Sequence, residues 1–139
     1  SDGEKLPFDK HHFDTVLIDA PCSSTGTIQK NPDIKWTASE ETLLKHLELQ
    51  RQLLDEGARI LKPGGTLIYS TCSLEEEENQ NQVESFLARH TGFFMKKRPS
   101  DSAFFELDDW TNEDHSFFQI LTGSKCGGFF GAAISCDHA

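Results

Sequence analysis

Two short apolar runs, each closing on a cysteine, flank one helix-length stretch, and this arrangement leaves few folds open. Thr15-Val16-Leu17-Ile18 is β-branched and apolar and leads into Asp19-Ala20-Pro21-Cys22. Thr66-Leu67-Ile68-Tyr69-Ser70-Thr71 repeats the pattern and ends at Cys72. The first run has too little polar alternation for a half-exposed strand, which predicts a buried strand in a parallel sheet. Between the runs, Ser39 followed by Glu40 and Glu41 marks a helix start, a capping hydroxyl with carboxylates near the positive end of the helix dipole. Leu43, Leu44, Leu47, Leu54, Ala58 and Leu61 follow at helical spacing, and Lys62-Pro63-Gly64-Gly65 ends the helix. Strand, helix, strand in this order reads as a parallel crossover unit.

The remainder extends that pattern. Residues 1 to 12 read as a loop or frayed terminus, and 20 to 36 as a loop long enough to be functional. A second helix is predicted over 75–89, buried through Val83, Phe86 and Leu87, with a short strand over 93–96. Residues 98 to 114 are acidic and irregular. Phe117–Leu121 and Phe129–Ile134 read as two strands joined by a Gly-rich turn over 123–128. The expected fold is α/β: a doubly wound sheet of parallel strands finished by a C-terminal antiparallel hairpin, with one reversed edge strand.

A length of 139 residues suits one domain, and eleven Phe compensate in buried area for a hydrophobic content of only 36%. No apolar run is long enough to span a bilayer and no leader opens the chain, so a cytoplasmic protein with no membrane partner is expected. Cys22, Cys72, Cys126 and Cys136 show no CxxC or CxxxC spacing, which argues against a zinc knuckle or a disulfide scaffold. The six histidines have no ligand spacing beyond the pair His11-His12, so no metal site is expected. A net charge of −10 is unfavourable for phosphate binding, and the one dense basic run is Lys96-Lys97-Arg98. Any RNA affinity is therefore expected to come mostly from residues outside these 139. The run Glu75–Glu78 reads as a helix N-terminus complementing the dipole.

Ligands of open parallel sheets bind beyond the carboxyl ends of the strands. Asp19, Cys22 and Cys72 all stand at such ends, on strands expected to lie about 5 Å apart, so one crevice should receive two thiols and a carboxylate. Two other readings stay open on residues alone: a structural piece that turns nothing over, and a thiol redox or metal module built on Cys22 and Cys72. Cys126 and Cys136 match no motif.

The segment DAPCSSTGTIQKNPDIKW, residues 19–36, resembles the Pro-Cys motif of the Sun/Fmu (RsmB) family of RNA 5-methylcytosine methyltransferases. YSTCSLEEEEN, residues 69–79, resembles that family's Thr-Cys motif; LKPGG at 61–65 and Gly128-Phe129-Phe130 are similar too. The resemblance implies transfer of a methyl group from S-adenosyl-L-methionine to carbon 5 of a cytosine in RNA, ribosomal RNA in particular. It implies that Cys72 forms the covalent adduct at carbon 6 and that Cys22 assists product release. Asp19 is implied to contact the cytosine edge, and Asp19 and Pro21 to flank the methyl donor. It further implies that residues 1–139 are the C-terminal half of a catalytic domain, strands four to seven of a Rossmann-like sheet. The family's Gly-rich donor-binding loop and acidic residues have no counterpart in these residues, so the piece alone is expected to be inactive and to self-associate along the exposed edge of its first strand.

Overall fold

The computed structural model describes residues 5–27, 33, 39–97, 117–120 and 127–137. Strand β1 (Phe13–Asp19) pairs in parallel with β2 (Leu61–Thr71), ending in register at Asp19 and Ser70. Helix α1 (Glu40–Ile60) makes the crossover between them. The Thr42 N–H donates to the Ser39 hydroxyl at 3.1 Å, the cap that the sequence predicts. The helix ends one residue early: Leu61 is extended and fully buried as the first residue of β2 rather than the last of the helical stripe. Register then slips between the pairs Phe13–Leu61 and Thr15–Thr66, so Lys62–Gly65 bulge from the ladder, with Gly64 at φ 77°.

After β2 comes a 3-10 turn (Glu76–Glu78), then α2 (Gln80–Arg89), then β3 (Phe93–Met95). The predicted helix over 75–89 is thus shorter, because Asn79 breaks it with φ −111° and ψ −104°. The Asn79 amide donates to the Ser73 carbonyl at 2.9 Å, which ties the break back to the Cys72 loop. Strands β4 (Phe117–Ile120) and β5 (Phe129–Cys136) form the expected antiparallel pair. The acidic stretch 98–114 and most of the turn at 123–128 lie outside the described residues.

The sheet order is β1-β2-β5-β3, with β4 beside β5. One edge of β5 pairs with β2 and the other is shared, β4 along Phe129–Ala132 and β3 along Ile134–Cys136. The reversed strand is therefore internal and not at the edge, and β1–β2 is the parallel pair among the described strands. Among the described residues both helices cover one face of the sheet. Helices α1 and α2 pack against each other, and Leu54, Ala58, Val83 and Phe86 join Ile18, Leu67, Tyr69, Phe130, Ala132 and Ile134 in one core. Gly57 lets α1 approach closely: a Cβ there would lie 2.9 Å from Leu67 Cδ1 and 3.0 Å from Ile18 Cδ1.

Because side chains alternate across a strand, the other face of β1 is left open. Leu17 is 66% exposed, which corrects the expectation of a fully buried first strand. Leu44, counted in the apolar stripe of α1, is also exposed. Residues 5–12 are better anchored than a frayed end. Arg59 donates to the carbonyls of Leu6 and Phe8, and the Leu6 N–H donates to Glu56 at 2.7 Å. Among the described residues no helix is long and apolar enough to cross a membrane.

Candidate active site

The parallel pairing of β1 and β2 delivers two loops to one side of the sheet, and their cysteines meet there. The sulfurs of Cys22 and Cys72 lie 3.2 Å apart. Both cysteines are half-buried and unbridged. The contact follows from register: Asp19 faces Ser70, and the Ala20 N–H continues the ladder onto the Ser70 carbonyl at 2.9 Å. Each chain then turns outward over the strand ends.

Backbone bonds hold the first loop. The Gly26 N–H donates to the Cys72 carbonyl at 3.0 Å, and the Gly128 N–H donates to the Gly26 carbonyl at 2.6 Å. Three chain segments therefore stack at Gly26, where a Cβ would sit 2.5 Å from the Gly128 oxygen and 2.7 Å from the Cys72 oxygen. Only a residue without a side chain fits. Thr25 Oγ1 accepts the Leu74 N–H at 2.9 Å, a further tie between the loops.

Beneath the thiols is a buried polar network. Glu78 is 0% exposed, and its carboxylate accepts the Ser23 N–H at 2.9 Å, the Ser23 hydroxyl at 2.6 Å and the Gln50 amide at 3.2 Å. Gln50 also donates to the Pro21 carbonyl at 2.9 Å. The Tyr69 hydroxyl donates to the Glu78 carbonyl at 2.6 Å, and burial followed by the charge of Glu78 raises its pKa. The Nδ1 of His46 lies 3.5 Å from Glu78 Oε1 and is buried without a hydrogen bond among the described residues. A buried carboxylate persists when its lone pairs are filled by donors, as here.

Burial, then the hydrogen bond and negative charge of Cys72, push the Cys22 thiol from 9.0 up to about 11. Cys22 is therefore a protonated thiol at neutral pH, able to donate its hydrogen across the 3.2 Å gap. A cavity of about 560 Å³ opens beside it, lined by Cys22, Ser23, Ser24, His46, Ser39 and Glu75 among others.

The structure brings Cys22 and Cys72 together but holds Asp19 apart from them. Its side chain is exposed, 3.4 Å from Ser70 Oγ, on the strand face opposite α1, and does not line the cavity. Pro21 is exposed at the loop's outer turn. Among the described residues no cluster of three or more His, Cys, Asp or Glu side chains is disposed to hold a metal ion. Sequence reasoning missed Glu78, because the run Glu75–Glu78 reads as a helix N-terminus complementing the dipole. One signal did exist: Gln50 falls on the stripe Leu43, Leu47, Leu54 of α1, and a polar residue on a core-facing stripe needs a buried partner.

Residues 1–135 match the family model described as 16S rRNA methyltransferase RsmB/F. The chain is 48% identical over 126 residues to ribosomal RNA small subunit methyltransferase B of Salmonella dublin, covering 90% of this chain and 27% of that protein. Among solved structures, the protein PH0851 superposes with a TM-score of 0.76 at 35% identity, over 90% of this chain and 27% of that one. A methyltransferase homolog protein from Pyrococcus horikoshii superposes with a TM-score of 0.67 at 28% identity, over 91% and 40%. The chain thus spans 27% of the length of the Salmonella relative.

Proposed function

This chain belongs to the 16S rRNA methyltransferase RsmB/F family, and on that premise we propose that its paired thiols serve methyl transfer to carbon 5 of a cytosine in ribosomal RNA. The observation that carries the reading is the 3.2 Å approach of Cys22 and Cys72 at the carboxyl ends of two parallel strands. A packing role needs no such pair, and a simple binding role needs no sulfur at all.

Carbon 5 of cytosine is too weak a nucleophile to take a methyl group unaided. Addition of the Cys72 sulfur to carbon 6 moves the ring's electron pair onto carbon 5, which then becomes nucleophilic. S-adenosyl-L-methionine, when bound, supplies the electrophilic methyl group. Loss of the carbon 5 proton to a base then reforms the ring double bond and expels Cys72 as a thiolate. Cys22, protonated and adjacent, donates a hydrogen bond to that departing sulfur and so assists release. The target base must leave its stack to reach these half-buried sulfurs.

The exposed carboxylate of Asp19, at the end of β1, suits the positive charge of a sulfonium donor. The Pro21 carbonyl is occupied by Gln50, which leaves the exposed ring of Pro21 to flank the donor. In this reading the described sheet supplies strands four to seven of a Rossmann-like methyltransferase. The test is to incubate small-subunit ribosomal RNA and the methyl donor with this chain, extended to the length of its relatives, and to analyse the nucleosides by mass spectrometry. 5-Methylcytidine is expected. A methyl group on an exocyclic nitrogen or a ribose would overturn the proposal.

A further inference from the structure

Ser24 has two features that a loop position alone does not demand. Its φ is 58°, in the left-handed region that side-chain-bearing residues other than Asn and Asp seldom enter. Its Oγ lies 3.3 Å from the sulfur of Cys72 and 3.9 Å from that of Cys22. Glycine would take this backbone without strain, so a serine here carries a conformational cost together with a hydroxyl aimed at both sulfurs.

We infer that Ser24 is a third member of the thiol site, whose hydroxyl takes the S–H of Cys72 in the resting thiol and turns to donate to that sulfur once it is ionised. A hydroxyl has one proton and two lone pairs, and its hydrogen rotates to suit the partner. In the resting arrangement the Cys72 S–H donates to Ser24 Oγ, while the Ser24 O–H points to the Cys22 carbonyl at 3.5 Å. When Cys72 loses its proton to water, the sulfur becomes an acceptor only. Among the described residues, the side-chain donors then in reach are the Cys22 S–H and the Ser24 O–H. The titratable groups nearby do not replace them. Glu75 and Glu78 on the following turn, Glu40 on α1 and Asp19 on β1 are acidic, the Tyr69 hydroxyl is committed to the Glu78 carbonyl, and His46 on α1 faces Glu78. Among the described residues, hydroxyl and thiol donors rather than a cation therefore stand ready to stabilise an anionic sulfur at this site.

The inference rests on the reading of Cys72 as nucleophile, yet it is tested without RNA or methyl donor, so either can fail alone. Native protein, Ser24→Gly and Ser24→Ala are alkylated with iodoacetamide from pH 6 to 10, and the label on Cys72 is quantified by peptide mass. Gly suits the left-handed backbone, so a denaturant titration should find Ser24→Gly at least as stable as native, which rules out unfolding as the cause of any change. Both variants are expected to move the midpoint of the Cys72 profile upward by about one pH unit, the effect of one lost donor to a charged group. Profiles that coincide with native, or a shift in only one variant, would overturn the inference and leave a purely conformational role for the residue.

Discussion

The main-chain N–H and the hydroxyl of Ser23 both donate to the buried carboxylate of Glu78, at 2.9 and 2.6 Å. Ser23 adjoins Cys22, and Glu78 closes the turn that follows Cys72, so one carboxylate clasps the two cysteine loops together. Gln50, reaching from α1 to the same carboxylate and to the Pro21 carbonyl, anchors the clasp to the helix. This network joins the two cysteine loops without touching either sulfur.

Replacing Glu78 with Ala strands the Ser23 N–H and takes one acceptor each from the Ser23 hydroxyl and the Gln50 amide in a buried site. We expect a loss of about 2–4 kcal/mol of folding stability, the usual cost of breaking a buried network, measured by chemical denaturation. Cys22–Cys72 disulfide formation under mild oxidant should slow as well, since the loops are no longer clasped. A variant of native stability would mean that the network does not position the loops.

Gly26→Ala attacks the same geometry from the backbone side. The new methyl group would collide with the carbonyl oxygens of Gly128 and Cys72, neither of which can rotate away. A cost of about 1–3 kcal/mol is expected, as for other overpacked sites, with retreat of the loop from Cys72. Denaturant midpoints check the first effect and the rate of thiol oxidation the second.

The parts legible in the sequence are those where local pattern and topology agree. The apolar run Val16 to Ile18, the capped helix after Ser39 and the strand ending at Cys72 specify a parallel unit, and that unit alone suffices to bring two cysteines together. Strand β5 was less transparent. Its composition announces a strand, but nothing in Phe129–Cys136 states that it inserts between β2 and β3 and reverses the sheet there, because partner choice is made by long-range packing. The burial of Glu78 was hidden for a similar reason. Its neighbours Glu76 and Glu77 are exposed, and only the turn at Asn79 directs one glutamate of the run inward.

The elevated Cys22 thiol gives stability a pH dependence of definite sign. Its pKa in the folded protein, about 11, lies above the ordinary value of 9.0, so the folded state holds this proton more tightly than the unfolded chain does. The contribution is complete below about pH 9, fades as pH rises toward 11, and makes the native protein progressively less stable in that window. Denaturation midpoints for native protein and Cys22→Ser should converge between about pH 9 and 11, because the native value falls faster there. Parallel curves would place the cause in other groups.

Strand β1 occupies one edge of the described sheet and carries the exposed Leu17. Exposed apolar edge strands recruit partners, so the 139-residue chain is expected to self-associate. Sedimentation velocity should show dimers or larger species at micromolar concentration, and Leu17→Lys should shift the distribution toward monomer. A native chain that stays monomeric and unfolds cooperatively would refute this expectation.

The division of labour between the thiols is open to one direct measurement. In this chain extended to the length of its relatives, Cys22→Ala and Cys72→Ala are made separately, and each protein is incubated with ribosomal RNA and the methyl donor before denaturing electrophoresis. Cys22→Ala should accumulate a covalent protein–RNA species, because the adduct forms and its release is impaired, while Cys72→Ala should form none. Accumulation in Cys72→Ala and absence in Cys22→Ala would contradict the assignment of nucleophile and release residue.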